Sequence, residues 1–196
     1  MPALKSNLEL SLYARDSYER RVVLGDKFDD ERSVEIMREL RRLDELSCEP
    51  IVVRFESNGG DYYPGERLAS CIEGLGSIVI GIVYGHCFST AMLVLQACNV
   101  RAALPTAKLL FHNNYKIVNV RLTPDSDITV LSGMLAQQIE RRRQIREETI
   151  TNLTRRVPSF TAETLSRLLQ ENDPTPRIMS AGEALLLGFL DGIVKI

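Results

Sequence analysis

Tryptophan is absent from this chain, aromatic residues make up only 6% of it, and two histidines, His86 and His112, are the only imidazoles to weigh. No uninterrupted apolar run approaches the roughly twenty residues that a membrane-crossing helix needs, so no membrane role is expected. The four cysteines, Cys48, Cys71, Cys87 and Cys98, lie far apart, with no C-x-x-C pair and no histidine at zinc-finger spacing. That pattern excludes a recognisable structural metal site, and neither a metal nor a cofactor is expected. Net charge is nearly absent too, at −2, so there is no global basic field to draw in nucleic acid. The first residues, MPALKSNLELSLYARDSYERR, carry charges throughout and have no apolar signal core. Their acidic residues are unlike a transit peptide, so a cytoplasmic, thiol-reduced protein is expected.

What is present is a globular composition. With 196 residues and 44% hydrophobic content, the chain can bury a substantial core and is read as one domain over 1–196, with 1–19 as an N-terminal segment. RVVLG at 21–25 reads as a strand, and Asp29 and Asp30 can cap a helix whose Val34, Met37, Leu40 and Leu43 recur at helical spacing. PIVVRFE is β-rich and SNGGDYYPG turn-rich, with Pro64 suited to the first turn of the helix that follows. SIVIGIVYG at 77–85 is an almost unbroken apolar run, the mark of a strand covered on both faces, and FSTAMLVLQAC should be a buried helix. VRAALP and AKLLFH give two short strands. Such alternation argues for an α/β layered fold with a largely parallel sheet, in which function sits at strand ends.

From Asp125 to Arg156 the spacing predicts one long helix with Ile128, Leu131, Leu135 and Ile139 as its stripe, followed by the charged ERRRQIREE. A stripe of that length suggests a partner surface, or a helix lying along its own domain. Ser180 and Glu183 form a capping-box pattern before ALLLG, Gly188 can end that helix, and FLDGIVKI closes the chain as an edge strand or a strand-like tail.

Three features can carry chemistry. Ser89 stands at a strand-to-helix junction, where unsatisfied backbone amides await a ligand, although serines in such places are commonly caps. Gly59 and Gly60 permit an amide to face a cleft, or make an ordinary loop. His112 ends the strand AKLLF and can act as a general base if the fold brings it to Ser89. His86 precedes the helix and should point elsewhere; Cys87 lacks a visible activating arrangement and reads as a small hydrophobe.

Taken in order, FESNGG-DYYPG, the apolar strand ending in GHCFSTAM, ALPTAKLLFH, the long helix and RIMSAGEALLLGFLDGIV resemble the ClpP family of caseinolytic serine proteases. The resemblance runs from about residue 20 to the end. It implies a ClpP/crotonase-like layered fold of β-β-α units, with 125–156 as a protruding, handle-like helix. It further implies a serine endopeptidase acting on peptides or unfolded proteins, with Ser89 as nucleophile, His112 as base, and Gly60 and Thr90 as oxyanion-hole amides. Homo-oligomeric rings, as two stacked heptamers, and a ring ATPase unfoldase or a ClpP relative are the partners that the family implies. The third catalytic residue of the family is an aspartate where this chain has Pro176, whose side chain cannot orient an imidazole; Asp173, three residues upstream, is the substitute to consider. A catalytically impaired ring subunit and a crotonase-type CoA-thioester enzyme are the alternatives.

Overall fold

The computed structural model describes residues 7–15, 19–112, 123, 127–157, 159–171 and 178–195. Among them a twisted sheet runs in the order β1 (Arg21–Phe28), β2 (Ile51–Gly60), β3 (Val79–Phe88), β4 (Val100–Ala103), β7 (Gly192–Ile193). β5 (Lys108–Leu110) pairs with the far end of β3 and with β6 (Ile178–Ser180). All pairings are parallel except β5 with β6. The expected α/β fold with a largely parallel sheet is therefore present, as is the edge position of the last strand.

The central strands are buried on both faces, and the alternation of their side chains builds two cores. Ile51, Val53, Phe55, Val79 and Val83 face the larger one, where α2 (Asp30–Leu46), α3 (Tyr62–Glu73) and α4 (Thr90–Gln96) pack. Val52, Ile80, Ile82 and Ala102 face a smaller one, covered by Leu10 and Ala14 of α1 (Asn7–Ala14). Fully burying one of these aliphatic side chains is worth roughly 1.5–3 kcal/mol.

Caps end the elements as their sequences require. Asp29 accepts the Arg32 amide at the start of α2, and Ser180 and Glu183 form a reciprocal capping box on α7 (Ala181–Leu186). Gly188, at φ +84°, takes the left-handed turn just after it. Arg101 ties the last strand down through two hydrogen bonds to the Asp191 carboxylate, of 2.6 and 2.9 Å.

Strand lengths differ from the sequence reading. β2 continues through SNGG, so the double glycine lies in a strand rather than in a turn, and α3 begins earlier, at Tyr62. A register shift between Phe55 and Ser57 brings Ser57 opposite Cys87, and the end of β2 pairs with Lys27 and Phe28. Bulges of this kind re-aim a strand end without terminating it.

The long helix, α5, spans Ile128–Arg156 and is capped by Asp127, which accepts the Thr129 and Val130 amides. At 1.5 Å per residue it is about 43 Å long. Only its second half is anchored, by buried Ile145, Thr149 and Leu153. Its first half leaves Ile128, Val130, Met134, Leu135 and Ile139 exposed. At its C-terminal end the buried Arg156 guanidinium bonds Glu66 and Glu73 of α3 at 2.7 and 2.9 Å. α6 (Ala162–Glu171) then folds back against it.

Candidate active site

Three parallel strands deliver the candidate residues to one place. β2 ends at Gly60, β3 leads into Ser89, and His112 follows β5 by two residues, so all three sit at carboxyl ends of the sheet. Gly60, Ser89, Thr90 and His112 line a single cleft of about 910 Å³. A smaller cavity of about 30 Å³ opens beside Ser89, Thr90 and His112 and runs toward Tyr62, Arg146 and Thr149.

Ser89 occupies the N-cap position of α4, yet its side chain makes no capping hydrogen bond. Its backbone is at φ +56°, ψ −126°, a conformation costing a non-glycine residue of order 1–3 kcal/mol. The surroundings hold it there. The Ser89 N–H donates to the Leu110 carbonyl at 2.9 Å, and its carbonyl accepts the Met92 N–H at 3.0 Å. A nucleophile on a tight, strained strand-to-helix turn projects its hydroxyl outward instead of spending it on the helix.

Gly59 makes this turn sterically feasible. Its φ is +88°, and a Cβ there would stand 2.6 Å from the Phe88 carbonyl and 3.0 Å from both the Ser89 Cβ and the Thr90 nitrogen. Its amide is fixed by the Ser57 hydroxyl at 3.1 Å, while that hydroxyl donates to the Asp26 carbonyl. The Thr90 hydroxyl donates to the Gly60 carbonyl at 3.0 Å, bridging the two segments expected to supply oxyanion amides. Thr90 opens α4, where the first amides have no intrahelical acceptor.

The competing residues fall away. The His86 ring packs on Phe88, with centroids 5.0 Å apart, and does not line either cavity beside Ser89. Cys87 is fully buried, and burial drives its thiol well above the ordinary cysteine value, keeping it protonated and unreactive. Asp173 and Pro176 lie outside the described residues, as do Asn113 and Asn114. The described residues hold no cluster of three or more metal-ligating side chains.

Sequence reasoning missed Tyr62, Arg146 and Thr149 as cavity residues. Arg146 and Thr149 belong to a charged stretch that reads as a solvated face, and only tertiary packing of α5 near Tyr62 of α3, Leu93 of α4, Phe111 and Leu169 of α6 brings them to the cavity. No local motif marks them.

A mainly parallel sheet with helices on both sides and a cleft at its strand ends defines the class, a ClpP-like layered α/β protein. Residues 5–196 match the family model of Clp protease, and the chain belongs to that family. It is thus a ClpP-like peptidase in general kind, from a family whose members form oligomeric rings. No curated protein matches the chain.

Proposed function

We propose that this chain is a serine endopeptidase, hydrolysing peptides or unfolded proteins through Ser89 and His112. The observation that carries the reading is the Ser89 backbone at positive φ, with its hydroxyl uncommitted to the helix, in a cleft shared with His112. In this mechanism the Ser89 Oγ attacks the scissile carbonyl while His112 takes its proton. The resulting oxyanion is held by the Gly60 and Thr90 amides, which need no reorganisation as charge develops. Collapse breaks the C–N bond, His112 returns the proton to the leaving amine, and water then hydrolyses the acyl ester by the same route in reverse. Asp173 is our choice for the residue that orients His112.

Pro176 motivates a second reading, an impaired ring subunit that supports a catalytic relative. A fluorophosphonate probe separates the two. Labelling of the wild type that disappears in Ser89→Ala, together with turnover of peptide substrates, is the expected outcome. An unlabelled wild-type chain that turns over no peptide and co-purifies with an intact catalytic homologue overturns it. Binding of an acyl-CoA without any covalent serine adduct would instead favour thioester chemistry of the crotonase kind.

A further inference from the structure

The chain as a whole is slightly acidic, but its cleft is basic. Lys27, Arg67, Arg141 and Arg142 line the 910 Å³ cleft against two acids, Asp30 and Asp61. Arg67 is paired with Asp30, and Arg141 lies 5.5 Å from the Tyr63 ring centroid, where it remains at the cleft edge.

The small cavity beside Ser89 deepens this asymmetry. Arg146 lines it, half-buried, and among the described residues makes one hydrogen bond at the outer limit of length, to the Ser166 carbonyl at 3.5 Å. No carboxylate among the described residues forms an ion pair with it, whereas Arg101, Arg155 and Arg156 are all paired with acids. Across the cavity the Tyr62 hydroxyl is buried, with no hydrogen-bond partner among the described residues. Thr149 and Glu148 stand near enough to influence it, yet neither completes a bond of good geometry. Of the acids near Tyr62, Glu66 is committed to Arg156, and Glu148 is exposed. The Tyr62 phenol, with no hydrogen-bond partner among the described residues, and the weakly held Arg146 guanidinium leave donor capacity unused in a half-open cavity, and an acceptor on a ligand would offset the cost of the unmade bond.

From these residues we infer that the cavity accepts an acidic side chain, Asp or Glu, from the residue on the acyl side of the scissile bond, with Arg146 as its counter-ion. The inference rests on the serine-peptidase reading above. Arg146 and Thr149 lie three residues apart on α5 and so share a helix face, while Leu93, Phe111 and Leu169 give the cavity an apolar wall that reduces solvent screening of the charge pair on that side. The basic cleft favours acidic flanking sequence on either side.

The test is a matched set of fluorogenic peptides that differ only in that residue, as Glu, Gln, Leu or Lys. The expected kcat/KM for Glu exceeds that for Leu and for Lys by about tenfold or more, the scale of one charge-assisted hydrogen bond in a partly buried site. Arg146→Glu should move the preference to Lys, an inversion that poor folding cannot produce. Equal turnover of the set, or a preference for Leu unchanged by Arg146→Glu, overturns the inference while leaving the peptidase intact. If no peptide is cleaved and Ser89 takes no fluorophosphonate label, the peptidase reading itself fails. Binding then decides the pocket's preference: fluorescence anisotropy of the same peptides on Ser89→Ala should favour Glu over Lys by about tenfold, and equal affinities refute it.

Discussion

At the scale of single residues, the site depends on two backbone conformations that side chains normally avoid, at Gly59 and Ser89. Gly59→Ala would add a Cβ 2.6 Å from a carbonyl oxygen at φ +88°. It should therefore cost about 2 kcal/mol or more, read as a melting temperature lowered by about 4–8 °C. Because the Ser89 turn must move to accommodate it, fluorophosphonate labelling should fall further than stability does; a fully labelled, fully stable variant would contradict the packing described. Ser89 itself was legible as a junction residue, since an apolar strand followed by an apolar helix brackets it. Its departure from the capping role was not legible, because φ and ψ at one position are set by Gly59 and Leu110, distant in sequence. His86 and Cys87 illustrate the converse: conspicuous letters beside the serine, one packed at a tilt against Phe88 and the other sealed in the core.

At the scale of elements, α5 is held to α3 by a buried cation between two carboxylates. Arg156→Ala should cost about 3 kcal/mol, since it leaves Glu66 and Glu73 partly buried and facing each other. Denaturant titration of the two chains measures it. Burial pulls the Glu73 carboxyl upward, and hydrogen bonds from Arg156 and Arg155 outweigh that, holding it below the ordinary carboxylate value. A carboxyl depressed on folding stabilises fully above its unfolded pKa, about 4.3, and the contribution is lost as pH falls through the lower folded value. Thermal melts from pH 7 to pH 3 should thus show a steeper acid loss for wild type than for Glu73→Gln; parallel profiles would remove Glu73 from the account. The helix was readable from its periodicity, and so were the capping box at Ser180 and the buried strand read at 77–85, although that strand, Val79–Phe88, also takes in Phe88, which the apolar pattern assigns to the following helix. The extension of β2 through Ser57 to Gly60 was hidden, because glycine and asparagine in sequence speak for turns, and only pairing with β1 and β3 overrides them.

At the scale of the whole molecule, the exposed stripe on the free half of α5 has too many apolar residues for a helix meant to face water. Ring stacking through this helix is our proposal for what covers it, in keeping with a family that assembles into rings. Sedimentation velocity should show a large discrete assembly for wild type and a smaller one for the double variant Met134→Glu, Ile139→Glu; a monomeric wild type would exclude the proposal. The topology has one more consequence. β5 is only three residues long, clamped between β3 and β6, and a bond from the Ser89 amide to the Leu110 carbonyl joins the serine's turn to the strand that leads to His112. A slip of β5 by one residue would send alternate side chains to opposite faces, breaking the site and taking Leu109 out of the core, so burial as well as pairing holds the register that the site needs. Hydrogen exchange at the Ser89 amide is therefore a built-in gauge: its rate counts how often the serine's turn and β5 part company.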